Sequence, residues 1–123
     1  MELERGRTAR QVLAAVRIVN GTLGLFAPRF LIRRLAVDPE RDRSGVYPFR
    51  MFGVRTIVLG AELLLVDGEE LRRATRLAVL IHGTDTLSAI TAGIRGDLPR
   101  RAALTATLVS AGNTMLAVIS TRE

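Results

Sequence analysis

The chain has 123 residues, no cysteine, 18 arginines, no lysine and a net charge of +6. Without cysteine it holds no disulfide, zinc thiolate or thiol nucleophile, and its length accommodates one domain: four spanning helices, with no soluble domain beside them. The arginines are scattered over every connection with five aromatics among them, which excludes the basic stripe and stacking platform of a nucleic-acid binder and leaves anionic lipid headgroups as the expected counter-charge.

Arg5, Arg7 and Arg10 precede an apolar stretch, as in a secretory signal. Arg17 interrupts that stretch and no A-x-A cleavage pattern follows, so the segment is expected to be retained as a first helix. Thr8 is the expected N-cap and residues 9–27 the helix, with Arg17, Asn20, Gly21 and Gly24 on one small, polar face. Pro28 ends it. The run PRFLIRRL sets Phe30, Leu31 and Leu35 against Arg29, Arg33 and Arg34, the pattern of a short helix lying in a membrane interface. Residues 37–46 are a charged connection.

The second helix is expected over residues 48–66, with Pro48 in its first turn and Asp67-Gly68 as its stop. At ~1.5 Å per residue it nearly matches the ~30 Å of a bilayer's hydrocarbon core. Within it lie Arg50, Arg55 and Glu62. Arg55 and Glu62 are almost two turns apart and share a face, as do Gly53 and Gly60, while Thr56 and Gly60 make a small pair that lets another helix approach. A charge facing lipid costs several kcal/mol, so this face must turn to protein or water.

A third helix is expected over residues 70–94, opened by the D-x-x-E signature of Asp67 and Glu70 and stopped at Gly96. It carries His82, Asp85 and Ser88 on one strip. The fourth, residues 98–120, is expected to be capped by Asp97 with Pro99 in its first turn, and it contains the strongest transmembrane signal, an uncharged run from Ala102 to Thr121. Ala106, Ser110 and Asn113 share one of its faces.

The expectation is an all-α fold in a single domain, a four-transmembrane-helix up-down bundle with a short interfacial helix between the first two spans. A soluble helical bundle is the rival, since the mean hydropathy of +0.25 is modest for four spans. All the aromatics (Phe26, Phe30, Tyr47, Phe49 and Phe52) cluster around the first connection as interfacial anchors. Seven arginines fall on the face with the termini and eight, or nine with Arg50, on the other, so the positive-inside rule gives no orientation in the expected inner membrane.

Aligning the helices by their turns sets Arg17 between the levels of Arg55 and Glu62, and Asp85 near that of Arg50. The expected pairs are Arg17 with Glu62 and Asp85 with Arg50 or Arg55, with His82, Asn20, Ser110 and Asn113 as hydrogen-bond partners. Gly21, Gly24, Gly53 and Gly60 are expected at helix-packing seams. A lone histidine among arginines makes a poor divalent-cation site, no serine or threonine shows nucleophile–base spacing, and no cofactor is implied. Two functional readings follow: a binding, assembly or accessory membrane protein held by its buried polar network, or a small-solute or ion transporter that uses it. A membrane redox or lipid-modifying enzyme component is a third. Membrane lipids are the expected partners, with a second copy or a larger complex enclosing any usable cavity.

The combination VRIVNGTLGLFAP, YPFRMFGVRTIVLG and a third helix with Asp85 resembles a family of small four-helix integral membrane proteins of actinobacteria and other bacteria, and more distantly the DoxX-type four-helix membrane proteins. The resemblance covers most of the chain, implies the same topology and brings no established activity. In that pattern an acidic residue follows the second arginine of the second helix. Thr56 stands there in this chain, with Glu62 two turns along.

Overall fold

The computed structural model describes residues 1–123 and is all-helical. Five helices follow one another: α1 Glu2–Phe26, α2 Pro28–Arg34, α3 Val46–Leu65, α4 Gly68–Arg95 and α5 Arg100–Ser120. Helix α1 starts well before the expected cap at Thr8, which lies inside it. Glu2 and Glu4 occupy its first turn, where carboxylates favour the positive end of the helix dipole. At Ala27 the backbone leaves helical geometry, and with Pro28 opening α2 the chain turns through 106°. The apolar stretch across α1 and α2 is therefore a bent pair.

The α2–α3 connection is built from side chains. Asp38 Oδ1 accepts the Glu40 N–H at 3.0 Å, and Asp42 Oδ1 accepts the Ser44 N–H at 2.9 Å and its hydroxyl at 2.6 Å. The two Ser44 donors hold the exposed Asp42 carboxyl below the usual carboxylate range. Pro39 is buried within this charged run.

Two expected caps are corrected. Asp67 stands at the N-cap position of α4 but makes no side-chain cap bond. Asp97 belongs to the end of α4: Gly96 adopts φ 77°, and the Asp97 and Leu98 N–H groups donate to Ala92 O at 2.9 and 3.3 Å. That leaves Pro99, which lacks an N–H, at the N-cap of α5.

Helix α1 packs antiparallel to α3 through glycine. A Cβ on Gly53 would stand 2.5 Å from Gly21 O, one on Gly24 2.8 Å from Phe49 O, and one on Gly60 3.0 Å from Ala14 O. Helices α4 and α5 form the second antiparallel pair, in contact where a Cβ on Gly93 would meet Ala103 and where the Thr86 and Thr114 hydroxyls lie 3.3 Å apart. The two pairs join through α1 and α5, while α3 and α4 share few contacts.

The core explains the shape. Leu13, Ala14, Leu63, Ala74, Ala78 and Ala117 form one buried cluster, on the side of the termini and the α3–α4 turn. Toward α2 and the α4–α5 turn each pair stays closed within itself, but the pairs separate. One cavity of about 410 Å³ lies among α1, α2, α3 and α5, and a cleft of about 460 Å³ lies between α3 and α4.

The outer surface of the molecule is apolar nearly all round, with Val19, Val58, Leu80, Leu87, Leu104, Leu108 and Met115 exposed. Seven threonines (22, 84, 86, 91, 105, 107 and 114) return their hydroxyls to the carbonyl four residues back, so they do not need water. Helices α4 and α5 are long and apolar enough to cross a membrane, and α1 with α2 qualifies if the bent pair counts as one span. Helix α3 is not among them; Arg50, Arg55 and Glu62 interrupt it.

Candidate functional site

The glycine seam between α1 and α3 has no room for a guanidinium. A Cβ on Gly60 would stand 3.0 Å from the Arg17 Cβ, so the Arg17 side chain leaves the seam toward α4. It is 3 % exposed. Nε donates to His82 Nε2 at 3.2 Å and Nη1 donates to Leu59 O at 3.2 Å, while the buried Nη2 has no hydrogen-bond partner.

This geometry assigns the histidine tautomer. An arginine N–H only donates, so His82 Nε2 must present its lone pair and the ring proton sits on Nδ1. That nitrogen lies 3.8 Å from Asp85 Oδ2, one turn along α4. Arg17, His82 and Asp85 thus form a polar chain from the middle of the bundle to its edge. It is the side-chain hydrogen bond that ties the α1–α3 pair to α4.

The expected pairs are different in the structure. Arg17 makes no ion pair with Glu62, because its guanidinium points to α4; Glu62 is half-buried and acts on it only through space, as Asp85 does. Asp85 faces His82, and makes no ion pair with Arg50 or Arg55. Both of those arginines are exposed, which places them outside any buried network. Arg55 and Thr56 line the α3–α4 cleft with Asp85 and Leu59. Asn20 and Ser110 line the other cavity. Asn113 is half-buried with no side-chain hydrogen bond. The Arg17–His82 link sits between two open spaces: Asn20, one turn beyond Arg17, lines one, and Asp85, one turn beyond His82, lines the other.

No three His, Asp or Glu side chains converge. The cluster is instead a source of donors. A buried guanidinium N–H without an acceptor is unfavourable by itself, and a carboxylate, phosphate or carbonyl oxygen placed there would complete it.

A second constellation was not anticipated from the sequence. Arg10 Nε and Nη2 donate to Glu123 Oε2 and Oε1 at 2.7 and 2.9 Å, and Arg10 Nη1 donates to Leu63 O at 2.6 Å. This bidentate latch joins α1, the end of α3 and the residue run after α5. The Arg10 bonds hold the Glu123 carboxyl below the ordinary range, against a smaller opposing effect of burial. An up-down bundle brings both chain ends to one face, and that was the available signal; the pairing itself depends on how closely α1 and α5 pack there. Compared with protein-family models, curated proteins and solved structures, the chain matches none.

Proposed function

We propose that the chain is a four-span inner-membrane protein that acts by binding, its Arg17–His82–Asp85 cluster receiving one acceptor-bearing polar molecule through the α3–α4 cleft. The observation that carries this reading is the buried Arg17 Nη2 with no partner. A charge out of water is held only where its donors are met. Leu59 O and His82 Nε2 take two of the N–H groups, and both Leu59 and Asp85 are close to or part of the cleft wall. Exposed Arg55 on the same wall would attract an anion toward it.

Four spans follow if α3 inserts beside α1. Their glycine seam is continuous over most of α3, Arg50 lies in its second turn within reach of headgroups, and Arg55 borders the cleft rather than lipid alone. This topology agrees with the resemblance to small four-helix bacterial membrane proteins. A transport reading rests on a further feature, that openings lie on both sides of the Arg17–His82 link.

Thermal unfolding of the detergent-purified protein against a panel of small carboxylates, phosphates and carbonyl compounds tests binding. A ligand at one hundred times its Kd adds about 2.7 kcal/mol of stability. The shift should be lost in Arg17→Gln and reduced in Arg55→Ala, a surface change that leaves the core intact. If no compound stabilises the wild type, the binding reading fails. Flux of the stabilising compound into proteoliposomes then separates transport from binding alone.

A further inference from the structure

The cavity among α1, α2, α3 and α5 is distinct from the Arg17 cleft. We infer that it holds an acyl chain of one anionic phospholipid, whose phosphate rests on Arg34. The lining is largely aliphatic and aromatic, with Leu23, Phe49 and Val109 among its walls, and α2 lies across it after the 106° turn at Ala27. Arg34 belongs to that lining and has no carboxylate within ion-pair distance. Its guanidinium carbon lies 5.9 Å from the centre of the Phe30 ring, itself half exposed, an arrangement that keeps a cation at the edge of an apolar space.

Charge complementarity selects the headgroup. At the α2 end, nine arginines stand against four acidic residues; at the end with the termini, seven stand against six. The two arginines and two carboxylates between these ends cancel. Five of the six net positive charges therefore lie at the end of the bundle that holds this cavity, with Arg34 in its lining, and none of Arg33, Arg34, Arg100 and Arg101 is in an ion pair. An amphiphile with an anionic head and an apolar tail satisfies both the free cations and the lining. A zwitterionic lipid would place its own cation among arginines.

The test uses the whole chain reconstituted in vesicles of equal phosphatidylglycerol and phosphatidylcholine, extracted in mild detergent and weighed intact by native mass spectrometry. The expected result is one retained phosphatidylglycerol in preference to phosphatidylcholine. Arg34→Ala should cut that preference about fivefold, the effect of one arginine near a lipid phosphate. Arg95→Ala, at the same end but outside the cavity, should leave it unchanged. Val109→Trp fills the cavity and should reduce retention of either lipid; Ala106→Leu serves the same purpose with a smaller side chain if the tryptophan variant does not fold. Equal retention of both lipids, equal effects of Arg34→Ala and Arg95→Ala, or undiminished retention in the filled variant would each overturn the site. None of these residues hydrogen-bonds to Arg17 or lines the α3–α4 cleft, so failure here leaves the binding reading standing.

Discussion

Two arginines of α1, the buried Arg17 and the partly buried Arg10, are satisfied differently. Each guanidinium nitrogen of Arg10 has an acceptor in Glu123 or Leu63 O, whereas the Nη2 of Arg17 has none. Removing the Arg10 partner by Glu123→Gln should cost about 1–3 kcal/mol, the range for charge-assisted bonds, measured as a loss of thermal stability at pH 7. The sign of its pH dependence follows from the depressed Glu123 carboxyl. Above the unfolded glutamate value of about 4.3 the stabilisation is fully present. As pH falls below that value, the unfolded chain takes up a proton before the folded chain does, so the gap between wild type and Glu123→Gln narrows and closes once folded Glu123 is protonated. A gap that stays constant down to acid pH would contradict the latch. For Arg17 the informative partner is His82. Its role there is that of an acceptor, so His82→Leu should destabilise by about 1–3 kcal/mol, while His82→Gln, which offers an amide oxygen, should recover part of the loss. Equal losses in the two variants would mean that His82 contributes by packing alone.

At the scale of helices, what the sequence revealed and what it hid have a common cause. Periodicity and punctuation mark single elements, so Pro28, Gly96 and the glycine spacing on α1 and α3 were visible. Relative rotation of packed helices is not local. Arg17 was set at the correct depth, opposite Leu59 and Gly60, yet its direction was decided by a backbone-close seam that pushes it to α4. Arg55 and Glu62 share a face of α3, but that face borders the cleft and leaves Arg55 exposed. The seam itself is testable. A Cβ on Gly53 would clash with the backbone at Leu25 N and Gly21 O, so Gly53→Ala must displace backbone and should cost about 1–3 kcal/mol. On α5, a Cβ on Gly112 meets nothing within 4 Å. There the same change should be neutral or stabilising by up to about 1 kcal/mol, the usual advantage of alanine in a helix. Similar effects at the two positions, read from denaturation midpoints in one detergent, would remove the seam from the account.

For the whole molecule the decisive feature is that packing is uneven along the bundle axis. Small residues (alanines at 14, 74, 78 and 117) let the four long helices converge at one end around Leu13 and Leu63, whereas toward the other end open spaces lie among α1, α2, α3 and α5 and between α3 and α4. The cleft between α3 and α4 is present with no ligand bound. Because the chain has no cysteine, single thiols report on this without background. Thr56→Cys, on the cleft wall, should react with a small maleimide much faster than Leu63→Cys, whose position is 0 % exposed within the buried cluster. Adding a compound that stabilises the protein should slow the Thr56→Cys reaction if that compound enters through the cleft. Comparable rates at the two positions would show a bundle packed evenly along its length, and with it the access route to Arg17 would be gone.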